Sequence, residues 1–211
     1  MAFDGITIAA MVSELNKNLS GGRINKIAQP ESDELLITGK GANGQKRLLL
    51  SASASLPLIY FTGKNRISPL TAPNFCMLLR KHIGSARITA IRQPGLERVV
   101  EFELEHLNEL GDVCHKVLIM ELMGKHSNII FCDDNNMILD SIKHVSCNVS
   151  SVREVLPGRP YFVPHTQDKL DPLTISREDF MEKVCGRSNA VSKALYQTLT
   201  GFSPVMAQEL C

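Results

Sequence analysis

Glu97 and Arg98 stand side by side in Gln93-Pro-Gly-Leu-Glu-Arg-Val99. Pro94-Gly95 turns the chain, and the apolar alternation that begins at Val100 puts the pair at the mouth of a strand. A guanidinium there offers a planar fork that fits phosphate oxygens or base edges, and the carboxylate beside it presents a paired charge. The plain alternative is an exposed cross-strand ion pair, worth under about 1 kcal/mol. A second group lies in Met123-Gly-Lys-His-Ser-Asn128. A core hairpin needs only a short Gly/Asn/Asp turn, whereas Lys125 and His126 could contact phosphate and Asn128 could bond a base or a backbone. The alternatives are a hairpin turn with polar tips, and His126 as a hydrogen-bonding strut. Asp4 precedes the first apolar-periodic run and reads as a helix N-cap, worth about 1 kcal/mol. The same helix start offers free N–H groups to an anion. Arg23, Lys26, Arg80 and Lys81 are further cations whose convergence the sequence does not establish.

These residues suit recognition rather than bond making. The six histidines, at 82, 106, 115, 126, 144 and 165, show neither HxxxH nor HExxH spacing, and GxSxG, P-loop and GxGxxG motifs are absent. No catalytic residue, zinc site or cofactor is expected. Cys114 and His115 are neighbours on a strand, where successive side chains point to opposite faces. The six cysteines are scattered without a CxxC, which suits a reducing compartment. The net charge of +1 means that any nucleic-acid contact must come from a local patch. With no Trp and 5% aromatics, a broad base-stacking platform is not expected. No signal peptide and no run of eighteen apolar residues is present. The expectation is a soluble cytoplasmic protein with no membrane partner.

The elements that position these groups can be read from periodicity. Ile8, Met11, Val12, Leu15 and Leu19 recur at helical spacing over 4–19, before Gly21-Gly22. Strand-like runs follow at Arg23–Ile27, Glu34–Thr38, Arg47–Ser51 and Leu58–Thr62, with a hairpin turn at Gly41–Gly44. A second helix is expected from Pro73, at its first position, to Ile83, ended by Gly84. Arg80, Lys81 and His82 gather in its last turn, where cations suit the helix dipole. Val100, Phe102 and Leu104 alternate with Glu101, Glu103 and Glu105, the pattern of a half-buried strand with a wet acidic face. Val117–Leu122 reads as a central strand, followed by Ile129–Cys132 and Met137–Ile142. The composition then shifts to a Pro-rich linker over 157–172. Ser176–Cys185, Asn189–Thr200 and Ser203–Leu210 read as three short helices, the first opened by Ser176 and Asp179 as a capping box. The fold class expected is α/β (α+β). Residues 1–170 form an antiparallel or mixed β-sandwich with two flanking helices, and 171–211 begin a separate helical domain.

The stretch ELMGKHSNII, with MAFDG, GGRINKIAQP, FCMLLRKHIG and SIKHV, resembles the N-terminal (NFACT-N) domain of the NFACT family, through most of the chain and in order. That family comprises the bacterial proteins called fibronectin-binding protein A or RqcH and the eukaryotic NEMF type. The resemblance implies a non-catalytic ribosome quality-control factor that binds large ribosomal subunits still holding peptidyl-tRNA. Bacterial members recruit alanyl-tRNA for message-independent C-terminal tailing, the ribosome making the bond. NFACT-N domains carry Asp-Arg at the place of Glu97-Arg98, and that pair is implicated in engaging tRNA together with an acidic residue at the place of Asp4. Here the acid is one methylene longer. The resemblance also implies a fold similar to the N-terminal domain of formamidopyrimidine-type DNA glycosylases, with 171–211 the truncated start of a helix-hairpin-helix domain. Those enzymes use an N-terminal proline amine beside a glutamate, which Met1-Ala2-Phe3 does not supply, so glycosylase activity is not expected. The leading rival function is a fibronectin-binding surface adhesin, for which the sequence shows no export signal, repeat array or strand-addition edge.

Overall fold

Asp4 starts the first helix, α1 (Gly5–Leu19), by accepting the Thr7 N–H on its carboxylate at 2.8 Å. Ile8, Leu15 and Leu19 line the buried face of that helix. The computed structural model describes residues 3–163 and 168–211. Met1 and Ala2 of the glycosylase comparison, and residues 164–167 of the linker, which include His165, lie outside the described residues.

After α1 come β1 (Arg23–Ala28), β2 (Glu34–Gly41), β3 (Gly44–Ser51) and β4 (Leu58–Phe61), then α2 (Asn74–Ile83). They are followed by β5 (Arg87–Arg92), β6 (Val99–Leu107), β7 (Val113–Glu121), β8 (Asn128–Asp133) and β9 (Ile138–Ser141). The nine strands make one sheet in the order β4-β3-β2-β1-β5-β6-β7-β8-β9, and every ladder in it is antiparallel. The two layers expected of a sandwich are the two halves of this sheet. They join at a narrow seam where β1 and β5 share the single register pair Arg23↔Arg87, with Ile24 N–H on Ala86 O and Ile88 N–H on Gly22 O, both at 2.9 Å. Both halves bury onto one core. Leu35, Leu50 and Ile59 come from the first half, and Leu118, Met120 and Phe131 from the second. Ile8 and Leu15 of α1 and Leu79 of α2 fill the space between.

Three local expectations are corrected. Pro73 caps α2 rather than occupying its first turn. On β6, Glu101, Glu103 and Glu105 are half-buried rather than wet, and burial, with Glu103 beside it, raises the Glu101 carboxyl above its ordinary pKa. The Pro-rich stretch is not an open linker up to residue 163. It lies along β9, where Gly158 N–H meets Ile138 O at 2.8 Å, Ile138 N–H meets Arg159 O at 2.8 Å and Tyr161 N–H meets Asn136 O at 2.7 Å. Apolar complementarity drives this packing: Val155, Tyr161 and Val163 cover Val99, Ile119 and Ile130 on the outer face of the sheet.

The last part contains α3 (Arg177–Phe180), which continues into a π turn at Met181–Cys185, then α4 (Val191–Thr198) and α5 (Pro204–Glu209). Val184, Ala194, Leu195, Leu199 and Ala207 give it a small core of its own. Ser176 accepts the Asp179 N–H at 3.0 Å, but its hydroxyl, not its backbone, gives the return bond to the Asp179 carboxylate at 2.9 Å. This helical unit docks on the start of α1, where the Gly5 N–H donates to Gly201 O at 3.0 Å. No described helix is long and apolar enough to cross a membrane.

Candidate nucleic-acid interface

Asp4 is 93 positions from Glu97 and 94 from Arg98 in sequence, yet the three meet at one corner of the fold. Gln93 brings them together. Its side-chain amide donates to Gly5 O and to Glu97 O, both at 2.8 Å, while Glu97 N–H closes the turn onto Pro94 O at 3.0 Å. The approach is so close that only glycine fits at position 5. A Cβ there would stand 2.0 Å from Leu96 O and 2.6 Å from the Gly201 Cα. Gly201 itself has φ +87° and sits against Leu96, so the corner depends on two glycines.

Asp4 uses both carboxylate oxygens inside the fold. One caps Thr7 and the other accepts the Ser203 hydroxyl at 2.6 Å. Burial alone would push its pKa up, but the bonds from Ser203 and Thr7 outweigh that and hold the carboxyl below its ordinary value. The free N–H groups expected at this helix start are taken as well. Gly5 and Ile6 both point at Gly201 O, at 3.0 and 3.4 Å, and Thr7 points at Asp4. Asp4 therefore organises the corner and leaves no empty anion cradle at α1.

Glu97 and Arg98 differ from Asp4 in this respect. Both are half-exposed, and no ion pair holds either among the described residues. The cross-strand ion pair considered from sequence is not formed. Lys169, which sequence reading did not single out, belongs to the same corner. Its ammonium donates to Tyr196 O at 2.8 Å. Burial lowers its pKa first and the nearby Arg98 charge lowers it further, with Glu97 working in the opposite direction. Two cations therefore share the corner with one acid, and the acid is not paired to either. Arg98, half-exposed and without an ion pair among the described residues, leaves its guanidinium able to receive an anion.

Lys125 and His126 lie at the same end of the sheet. Val99 pairs with Glu121, and the next rung is Leu122 N–H on Arg98 O at 2.9 Å. The chain then makes a 3-10 turn, Gly124–His126, that presents both side chains to solvent. Asn128 is different, and its expected role as an RNA contact is corrected. It is 2% exposed. Its amide donates to Lys143 O at 2.9 Å, and its oxygen accepts Lys143 N–H at 3.1 Å and Ile129 N–H at 2.9 Å. Ser127 is also buried, accepting the Met123 N–H at 2.8 Å. The motif thus divides into an exposed ammonium, an exposed imidazole and two buried struts. Of the further cations, Arg80 is spent on Ile27 O at 2.8 Å, and Arg23 lies beyond the far end of α1.

Two polar groups, Glu121 buried and Lys143 half-buried, escaped sequence reading. Glu121 is 0% exposed and meets the Arg153 guanidinium at 2.5 and 2.6 Å and the Tyr161 hydroxyl at 3.0 Å. A carboxylate ending an apolar strand was the available signal, since such a group must find a partner. Lys143 reaches Ala52 O and Ser127 O, joining the end of β3 to the start of β8.

The sequence profile of the family described as "NFACT N-terminal and middle domains" matches residues 4–211. The protein named "Rqc2 homolog RqcH" of Bacillus subtilis is 41% identical over 212 residues, covering 99% of this chain and 37% of its own length. The protein of the same name from Streptococcus suis is 37% identical over 211 residues, covering 100% of this chain and 38% of its own. The chain therefore spans well under half the length of these relatives. Among solved structures, the N-terminal domain of fibronectin-binding protein PavA from Streptococcus pneumoniae is similar, with a TM-score of 0.91 and 37% identity. The match covers 99% of this chain and 78% of that one.

Proposed function

The chain belongs to the NFACT family, and on that premise we propose that it is the tRNA-holding part of a ribosome quality-control factor. In this reading the whole protein acts in the cytoplasm on large ribosomal subunits that still carry peptidyl-tRNA. The domain recruits a second tRNA, alanyl-tRNA, for tailing without message. It supplies no catalytic group, because the ribosome makes the peptide bond. The names of the relatives, which speak of Rqc2 homologues, support the quality-control part.

One observation carries the tRNA part: Arg98 is half-exposed at the corner that Gln93 ties together and forms no ion pair among the described residues. It is free to offer a phosphate or base edge a two-pronged donor. Glu97 is placed to accept from a base amine or a ribose hydroxyl. Asp4 acts by holding the corner, and Lys125 and His126 add an ammonium and an imidazole donor at the same end of the sheet. Asn128 supports that turn from below.

The test compares the wild-type protein with Glu97→Ala/Arg98→Ala, each isolated on large ribosomal subunits, with the co-purifying tRNAs sequenced. Enrichment of one tRNA family, lost in the variant while subunit binding persists, is the expected result. Equal tRNA profiles would remove Glu97 and Arg98 from recognition. The PavA name favours one second reading, fibronectin binding at a cell surface. Labelling of the protein on intact cells, with no co-sedimentation with subunits, would favour it over the first.

A further inference from the structure

Lys40, Arg23 and Arg87 are directly opposed on three adjacent strands. β2 pairs Lys40 with Arg23 of β1, and β1 pairs Arg23 with Arg87 of β5. Residues opposed in antiparallel ladders project from the same face with Cβ atoms about 5 Å apart, and like charges so placed repel. All three are exposed, and among the described residues no carboxylate forms an ion pair with any of them. The next residue along the row, Glu105 of β6, is opposed to Arg87 on one side and His115 on the other, so an acid stands beside Arg87 but none beside Arg23 or Lys40 in the row. A fold that lines up cations at its narrowest seam with one acid at the end of the row gives up stability there.

The same place is concave. A cleft of about 520 Å³ is lined by Ser20, Gly21, Gly22, Arg23, Asn25 and Lys40. Its floor of small residues lets a ligand approach the backbone. The register of β1 shifts between Ile24 and Lys26, which leaves Asn25 as the extra residue of a bulge and turns its amide into the cleft's lining. Two of the three cations, Arg23 and Lys40, thus line the cleft, and Arg87 stands next to it in the row. The cleft lies just after the C-terminal end of α1, whereas Asp4 and the Glu97-Arg98 corner lie at its other end. Fifteen helical residues set the two about 22 Å apart.

We infer that the Lys40–Arg23–Arg87 row and its cleft form a second RNA contact, gripping the sugar-phosphate backbone of the same tRNA whose other part meets the Glu97-Arg98 corner. This rests on the tRNA-holding reading for the identity of the RNA. The contact is sequence-independent, because cations on phosphates position a nucleic acid without reading it.

The test measures binding of a fluorescently labelled deacylated tRNA to the 211-residue chain by anisotropy across a salt series. Each phosphate neutralised contributes roughly 0.7–0.9 to the slope of log affinity on log salt. Arg23→Gln/Lys40→Gln/Arg87→Gln is expected to lower the slope by about 2 and to weaken binding. Lys40→Gln alone, on an exposed position, lowers it by about 1, and Arg23→Lys/Arg87→Lys keeps it. An unchanged slope in the triple and single variants overturns the inference, as does wild-type chain that fails to bind tRNA at low salt. Displacement of the tRNA by poly-glutamate at equal charge concentration also overturns it, because the surface would then be a general acidic-peptide site. Glu97→Ala/Arg98→Ala in the same series separates the two ideas. If it abolishes binding while the row variants do not, the corner stands and the row falls. If the row variants lose the slope while Glu97→Ala/Arg98→Ala binds normally, the row stands and the corner falls.

Discussion

Asp4 and Arg98 illustrate opposite ways for a charged side chain to be used. Asp4 has its two oxygens committed to Thr7 and Ser203, so its removal should act on stability. Asp4→Ala is expected to cost about 1 kcal/mol in chemical denaturation at neutral pH. The pH dependence follows from its lowered pKa. The carboxylate stabilises the fold above the ordinary value of 3.8 and loses that contribution as pH falls through its lower folded-state value. The stability difference between wild type and Asp4→Asn should therefore shrink below pH 3.8, which acid denaturation series of the two proteins would show. Arg98 should behave otherwise, because no ion pair binds it. Arg98→Ala removes a cation from beside Lys169, so the Lys169 pKa should rise toward 10.5, measurable by NMR of its side-chain ammonium. A Lys169 titration unmoved by the substitution would show that the two charges do not share a corner. Asp4 as an N-cap and Glu97-Arg98 at a strand mouth were legible because caps and turns are local in sequence. Lys169 and Gln93 were not, since nothing local says that residue 169 returns to residue 98.

At the scale of elements, the β7–β8 connection shows how a motif can mix exposed and buried polar residues. Lys125 and His126 ride on the 3-10 turn, and replacing both by alanine should change stability by no more than about 0.5 kcal/mol. Asn128 ties the start of β8 to Lys143 just beyond β9, and Asn128→Ala strands buried donors at a cost of about 1–3 kcal/mol. Thermal unfolding of the two variants side by side distinguishes these roles, and a larger loss from the Lys125/His126 pair would contradict them. Sequence reading grouped all three because composition cannot tell which side of a tight turn faces water. The helices and strands themselves were legible from period and turn residues. The segment up to 163 was misread as a linker because its prolines hid an edge that pairs through isolated bonds rather than a ladder. Its anchor is Glu121 with Arg153 and Tyr161. Arg153→Ala leaves a fully buried carboxylate without its charge partner and should destabilise the protein by about 3–5 kcal/mol.

Over the whole molecule, the antiparallel α+β class was legible, but a single sheet divided at a seam was not. Periodicity shows which face of a strand is buried and says nothing about which strands are neighbours, so β1 beside β5 appears only in three dimensions. The seam has few ladder bonds of its own, and Lys143, reaching from the second half to Ala52 at the end of β3, helps to bridge it. The bond between Ser203 and Asp4 spans 199 positions and has a consequence for how the molecule comes into being. Synthesis delivers α1 long before the groups that finish its start, Gly201 and Ser203. Until then the helix exists with an unsatisfied beginning and a glycine that has nothing to pack against. Closing so long a loop is entropically slow, so the nascent chain must keep α1 waiting for a turn 199 positions downstream of its cap, and the corner matures only after Ser203 has been made.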